Sequence, residues 1–516
     1  MSSATFLGVD VGTQGTKAVA YSADGACLAE SFRPSNLIEG PDGSITEDPE
    51  EQVEAVCGAI ADCVQQGVDP HSVAALAIDG QMAGVLAVGT DGTNVTPYDS
   101  WLDTRCGAYA RRMAETAGDR ILEKTGNVPS INHGPKILWW KHERPEVYEQ
   151  IAAFVQPAAY TAMRLCGLRG DEAFIDLTYL HFSGFADNAA ADWDADLCRQ
   201  FEVDRDMFPR IVKPSERVGA VSTEGARRSG LREGTPVMAG CGDTAASFLA
   251  SGAIEEGICV DVAGTASVFS VTSDSFRPDT VSKLLGCGQS VSPGRWHHYA
   301  YINGGGMNLE WFRGLLAAYA ASKGTGAPTT AIDFERLNEE AAALEPKMTD
   351  PYFVPHMAGR VMPSVPEVRG GWQGLNWSHS GAHLYRSMLE AVALEYGMYL
   401  RAIRSVHPTL ELQEVRVTGG GEKSRLWNQI KADACGVPMV QVKGSRGAPM
   451  GAAMVAAYGT GAYDSLEELV SAWIEQGTRI SPDANMQEYY GRRGQVYERL
   501  LDVVSQLSVE TELGVG

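Results

Sequence analysis

One short pattern occurs twice and limits the possible folds more than any other feature of the sequence. Near the start, Gly8-Val9-Asp10-Val11-Gly12-Thr13-Gln14-Gly15-Thr16-Lys17 runs on into Ala18-Val19-Ala20-Tyr21 and the turn residues Asp24-Gly25. Half a chain later, Cys259-Val260-Asp261-Val262-Ala263-Gly264-Thr265-Ala266-Ser267 runs on into Val268-Phe269-Ser270-Val271-Thr272 and Ser273-Asp274. Each copy reads as an apolar strand holding one aspartate, a tight Gly-Thr turn and a second β-rich strand. A hairpin that opens each half of the chain predicts a duplicated domain with a cleft between the copies. At 516 residues the chain is also too long for a single ordinary core.

The elements between the hairpins fit an α/β layered fold. Pro49 to Gln66 reads as a helix, and Val73-Ala74-Ala75-Leu76-Ala77-Ile78 as a buried strand. Helical periodicity dominates Asp103 to Thr125 and Lys136 to Leu165. In the second half, Ala382 to Val406 predicts a long helix, Val415-Arg416-Val417 a short strand, and Met486 to Leu507 a closing amphipathic helix. Gly-, Ser- or Pro-containing joints fall near Ser251-Gly252 and at Gly324 to Pro328, so the expected halves are residues 1–250 and 251–516.

Charge and cysteine usage narrow the function classes. With 42 Lys and Arg against 65 Asp and Glu, the net charge of −23 disfavours nucleic acid and anionic membrane as partners. There is no apolar run long enough to span a bilayer, and no signal-peptide pattern at Met1 to Phe6, so a cytoplasmic location is expected. The ten cysteines lack CxxC or zinc-ligand spacing and read as small buried hydrophobes in a reducing compartment. His133, His142, His356 and His379 read as surface or structural histidines. Oligomeric state is left open, a homodimer among the options.

The residues that could carry chemistry sit at strand ends. Gly12-Thr13-Gln14-Gly15-Thr16-Lys17 offers backbone amides, two hydroxyls and an ammonium to a phosphate, and Gly264-Thr265-Ala266-Ser267 offers a second, smaller cradle. A polyphosphate lying between two domains needs a grip from each. Neither turn is the GxxxxGK[ST] loop. Asp10, on a strand otherwise apolar, is costly to bury unless paired or bound to metal. In Val237-Met238-Ala239-Gly240-Cys241-Gly242-Asp243 a buried strand ends in a Gly turn that projects Asp243 into a cleft. Phosphoryl transfer needs little beyond positioning, Mg²⁺ and a base for the acceptor proton. Asp243 suits the base and Asp10 the metal side. Two more Gly turns, Asn303-Gly304-Gly305-Gly306 and Thr418-Gly419-Gly420-Gly421, open helices and would let a flat base or ribose lie on backbone.

These segments resemble the FGGY carbohydrate kinases of the actin-like, sugar-kinase and heat-shock ATPase fold. The second-domain signature is matched by Gly370-Gly371-Trp372-Gln373-Gly374-Leu375 with His383-Leu384-Tyr385-Arg386-Ser387-Met388-Leu389-Glu390, and the first, less completely, by Lys136-Ile137-Leu138-Trp139-Trp140. The resemblance covers Phe6 to about Tyr458. It implies two duplicated actin-like (ribonuclease-H-like) domains flanking a deep cleft for ATP and a small sugar or polyol. Asp243 would be the catalytic base, and with Asp10 would help hold Mg²⁺. Thr13, Gln14, Gly15, Lys17 and Thr265 would hold phosphates, and Gly306, Gly420, Gly421 and Ser424 would line the nucleotide. Gln81, Met82, Asp103 and Asp243 would meet the acceptor. Gly80-Gln81-Met82-Ala83-Gly84 looks xylulokinase-like with its His replaced by Ala83, and Ala358-Gly359-Arg360-Val361-Met362-Pro363 departs from the usual Gly-Glu-Arg-Thr-Pro. D-xylulose is therefore the first acceptor expected. Another pentulose or polyol (ribulose, erythritol, a glycerol-like acceptor) is the alternative, and a nucleotide-dependent sensor or assembly protein the rival of another class.

Overall fold

The structure, a computed structural model, describes residues 4–322 and 333–513. Two sheets carry it. The first is ordered β5-β6-β4-β1-β2-β3, from β1 (Thr5–Val11), β2 (Gly15–Ser22), β3 (Cys27–Pro34), β4 (Val73–Gly80), β5 (Arg217–Ala220) and β6 (Pro236–Gly242). The second is ordered β9-β10-β8-β7-β11-β12-β13. Its strands are β7 (Ile258–Ala263), β8 (Ser267–Ser273), β9 (Gly286–Gln289), β10 (Trp296–Ile302), β11 (Glu414–Thr418), β12 (Met439–Lys443) and β13 (Glu475–Ile480).

The two sheets repeat one plan. In each, the hairpin seen in the sequence forms an antiparallel meander, β1-β2-β3 or β7-β8-β10. Two further strands then add in parallel to the first strand, β4 and β6 or β11 and β12. Parallel addition requires crossover helices, and the sequence supplies them. In the first half these include α1 (Pro49–Gln65), α2 (Gly107–Thr125), α3 (His133–Glu143) and α4 (Pro157–Cys166). After β6 comes α5 (Asp243–Leu249). The second half supplies α6 (Gly305–Ser322), α7 (Gly381–Val406), α8 (Arg425–Cys435), α9 (Ala448–Gly459) and the closing α10 (Ala484–Leu513).

Two helices cross between the halves. On one face of the first sheet, Leu7 and Val9 pack with Val53, Ile60 and Met163 of α1 and α4. On the other, Phe6, Ala75 and Ala77 pack with Ala453 and Ala456 of α9, a helix from late in the chain. A Cβ on Gly8 would stand 1.8 Å from the Pro449 carbonyl oxygen, so only glycine lets α9 lie this close to β1. Reciprocally, Phe248 of α5 packs with Ile258, Val260 and Tyr299 of the second sheet.

Expectation and structure differ between Lys136 and Leu165. The stretch is not one helix: α3 ends at Glu143, Ala153–Val155 pairs as a strand with Leu86–Val88, and α4 starts at Pro157. Pro145 and Pro157 break the backbone ladder and start new helices at their first turns. The helix expected from Asp103 likewise begins only at Gly107, because the Asp103 carboxylate accepts the Arg105 amide in a turn of its own. The Gly324 to Pro328 joint lies outside the described residues. All ten cysteines are free, with Cys27 and Cys166 only half-buried. Among the described residues no helix is long and apolar enough to cross a membrane.

Candidate active site

Strand register brings three carboxylates together. Asp10 near the end of β1 sits beside Asp79 on β4, which in turn sits beside Cys241 on β6, two residues before Asp243. All three acids therefore lie at the carboxyl ends of adjacent parallel strands, where open α/β sheets bind ligands. Asp79 is fully buried and neither of its oxygens meets a donor; Asp10 Oδ1 is likewise buried without a partner. Burial, then the facing carboxylates, pushes Asp79 well above the usual range. Burial, followed by repulsion from Asp243, raises Asp10 against the pull of Lys17. Asp243 is raised by burial to about 6, although the Thr244 hydroxyl and amide bond its Oδ1 at 3.1 and 2.5 Å. Its Oδ2 has no partner among the described residues.

Asp10, Lys17, Asp243 and Arg446 line an open chamber of about 340 Å³, to which Val262 and Val268 of the second hairpin also contribute. The first turn stands at this chamber. Gly12 and Gly15 exchange backbone bonds at 3.2 and 3.3 Å, and the amides of Thr13 and Gln14 find no acceptor among the described residues. In the second half, three glycine turns converge on the end of β7. The Gly306 and Met307 amides bond the carbonyls of Gly264 and Thr265, both at 3.1 Å. A Cβ on Gly306 would stand 2.3 Å from Gly264 O, and one on Gly421 2.5 Å from Ala263 Cβ; Gly420 faces open space, and Thr265 is exposed. The Ser424 hydroxyl caps α8 by accepting the Trp427 amide and donates to Asn338.

Met82 and Thr244 line a second, half-open pocket of about 30 Å³ with His181, Phe182, Phe248 and His297. Thr244 thus lines both spaces, and Asp243 beside it lines the larger one. No lysine or arginine lines this smaller cavity. Burial holds His181 and His297 neutral, each pushed down to about 3. His133 beneath it is pushed down to about 4, and its Nε2 contacts the Met82 carbonyl oxygen at 2.6 Å.

Two of the residues expected at the acceptor are already occupied. Gln81 is buried, donating to Glu47 at 2.9 Å and accepting the Thr13 hydroxyl at 3.1 Å. Trp101 Nε1 also donates to that hydroxyl, at 2.8 Å. Asp103 accepts from Arg105 and from the Ile45 amide through both its oxygens. The residues not foreseen are Asp79, Glu47, Thr244, His181, His297 and Arg446. Asp79 closes an apolar strand as Asp10 does, and the same reasoning would have marked it. Thr244 bonds its neighbour Asp243, and Glu47 and Arg446 act through partners remote in sequence.

Among the described residues no three His, Cys, Asp or Glu side chains alone could hold a metal. Hard carboxylate oxygens without partners nevertheless suit Mg²⁺, which commonly uses one or two carboxylates and completes its shell with water and phosphate.

Comparison with known proteins bears on the family and the fold. The model of the FGGY family of carbohydrate kinases, N-terminal domain, matches residues 5–250, and that of the C-terminal domain matches residues 259–460. A xylulose kinase of Bacillus subtilis is 27% identical over 498 residues, covering 94% of both chains. A gluconokinase of the same species is 26% identical, covering 92% of this chain and 91% of its own. The solved xylulose kinase of Rhodospirillum rubrum superposes with a TM-score of 0.85 at 25% identity, over 98% of this chain and 99% of its own. With both domain models matched in order across two repeated sheets, the chain belongs to the FGGY family of carbohydrate kinases.

Proposed function

We propose that this kinase transfers the γ-phosphoryl group of ATP to a hydroxyl of a small uncharged ketose, with D-xylulose, giving D-xylulose 5-phosphate, the first candidate. The observation that carries the reading is the place of Asp243, whose Oδ1 is held by Thr244 and which faces a chamber with Lys17 and Arg446, while Thr244 also lines a neighbouring pocket in which the described residues place no lysine or arginine. A gluconate carboxylate in that cavity would be buried against neutral histidines with no counter-charge, a costly placement. A neutral sugar meets no such penalty.

Residues 1–250 and 251–516 serve as the two jaws. Thr13, Gln14, Gly15 and Lys17 cradle the phosphates from one side and Thr265 from the other, while Gly306, Gly420, Gly421 and Ser424 flank the nucleoside. Asp10, helped by Asp243, would hold Mg²⁺, whose charge offsets that on the transferring phosphate. Met82 touches the acceptor; Gln81 and Asp103 shape its pocket from behind, since their polar atoms are engaged. With Oδ1 anchored by Thr244, Asp243 Oδ2 takes the acceptor proton as the acceptor oxygen bonds to the γ-phosphorus and the bond to the ADP oxygen breaks.

A panel of D-xylulose, D-ribulose, erythritol, glycerol and gluconate, read by ADP formation, tests this. A neutral ketose should give the highest kcat/KM, with gluconate lower by about 100-fold or more. Gluconate as the best acceptor would contradict the proposal.

A further inference from the structure

We propose that Arg446 is a nucleotide-binding residue, delivered by the second half of the chain, which leaves Glu30 for the terminal phosphates of the nucleotide when that ligand binds. The inference rests on the chamber being the phosphate site. Arg446 lies in the loop between β12 and α9 and lines the chamber with Asp10, Lys17 and Asp243. It and Lys17 are the cations in that lining. Both point at one acid: Lys17 Nζ stands 3.4 Å from Glu30 Oε2, and the Arg446 guanidinium bonds the same oxygen. Lys17 and Glu30 lie on neighbouring strands of the first sheet, so the contact with Arg446 ties the two halves across the mouth of the chamber.

Energetics favour an exchange of partners. The Arg446 and Glu30 side chains are 39% and 46% exposed, and ion pairs that open to solvent contribute little. An arginine on a phosphate makes paired, charge-assisted bonds that are stronger and geometrically matched. The chamber also needs the cation. Its floor holds Asp10 and Asp243 with Asp79 behind them, and a triphosphate brought there adds several negative charges to three carboxylates. Lys17 and one Mg²⁺ together would still leave that excess only partly balanced. Because the arginine arrives from the opposite half, its transfer to phosphate would also bring the jaws together around the bound nucleotide, the motion by which kinases exclude water.

Calorimetric titration of ATP, ADP and AMP into wild type, Arg446→Met, Arg446→Lys and Glu30→Gln decides the matter, alongside KM for ATP and for the best acceptor. Arg446→Met should weaken ATP by about tenfold or more, the size of one charge-assisted contact, and leave AMP unchanged. Arg446→Lys should recover part of the loss. Glu30→Gln, which frees the arginine, should tighten ATP, an arm that does not depend on the arginine variants folding. KM for ATP should rise in Arg446→Met with the acceptor KM unmoved. Wild-type ATP affinity in Arg446→Met, or equal losses for ATP and AMP, would overturn the assignment while sugar-dependent ADP formation by wild type left the kinase reading intact. Absence of that wild-type activity would remove the chamber reading, and the role of Arg446 with it.

Discussion

Asp10 and Asp261 occupy matching places in the two hairpins and meet opposite fates. Asp10 opens onto the chamber with Oδ1 unpartnered, whereas Asp261 is fully buried, bonded by Lys431 at 2.5 Å and Tyr396 at 2.6 Å. The two matching positions therefore differ in their surroundings: Asp10 faces the chamber, and Asp261 is locked into the core of the second half. Asp243 carries a pH prediction. A base must be ionised, and burial raises its pKa to about 6, so kcat/KM should climb with pH through about 6 and level off above. The stability sign is opposite. A carboxyl with a raised folded-state pKa favours folding while protonated, and that contribution is lost as pH rises from its ordinary range through about 6. The window in which activity appears is thus one in which stability falls, and melting temperatures measured across it should decline. A flat rate profile between pH 5 and 8 would remove Asp243 as the base. Asp10 and Asp243 were legible in the sequence because a carboxylate ending an apolar strand needs a reason. Glu47 was not, because its partner Gln81 lies 34 residues away and Glu47 stands in an acidic run with Asp48, Glu50 and Glu51 that reads as solvated.

Elements with strong periodicity were legible for the same kind of reason. The helix predicted from Ala382 to Val406 is observed at Gly381–Val406, and the first hairpin strands at Thr5–Val11 and Gly15–Ser22. The run from Lys136 to Leu165 misled because an apolar stretch satisfies helical spacing while its prolines set the real boundaries. Packing between elements was invisible. Lys431 on α8 stands 3.7 Å from the centre of the Trp427 ring and pins α8 to β7 through Asp261, wholly out of water. Removing one partner strands a buried charge, so Lys431→Met should cost about 3–5 kcal/mol in urea unfolding, and the double variant with Asp261→Asn should cost less. A loss below about 1 kcal/mol would show that water reaches the pair.

At the scale of the molecule, two copies of one sheet exchange helices: α5 of the first half packs on the second sheet and α9 of the second on the first. The repeat could be read from two short hairpins, but this exchange could not, since nothing local marks a helix as belonging to a distant sheet. Its consequence is functional. Asp243 opens α5 and Arg446 immediately precedes α9, so the helices that join the halves also carry the groups that face the chamber. A small relative movement of the halves would therefore change the distance between base, cation and phosphate together. Asp243 is proposed to perform the proton transfer of a sugar kinase, and sugar-dependent ADP release by wild type and Asp243→Asn tests that role. Release with a neutral ketose should fall by about 10²–10⁴-fold in the variant, with ATP still bound. Equal rates in the two proteins would contradict it.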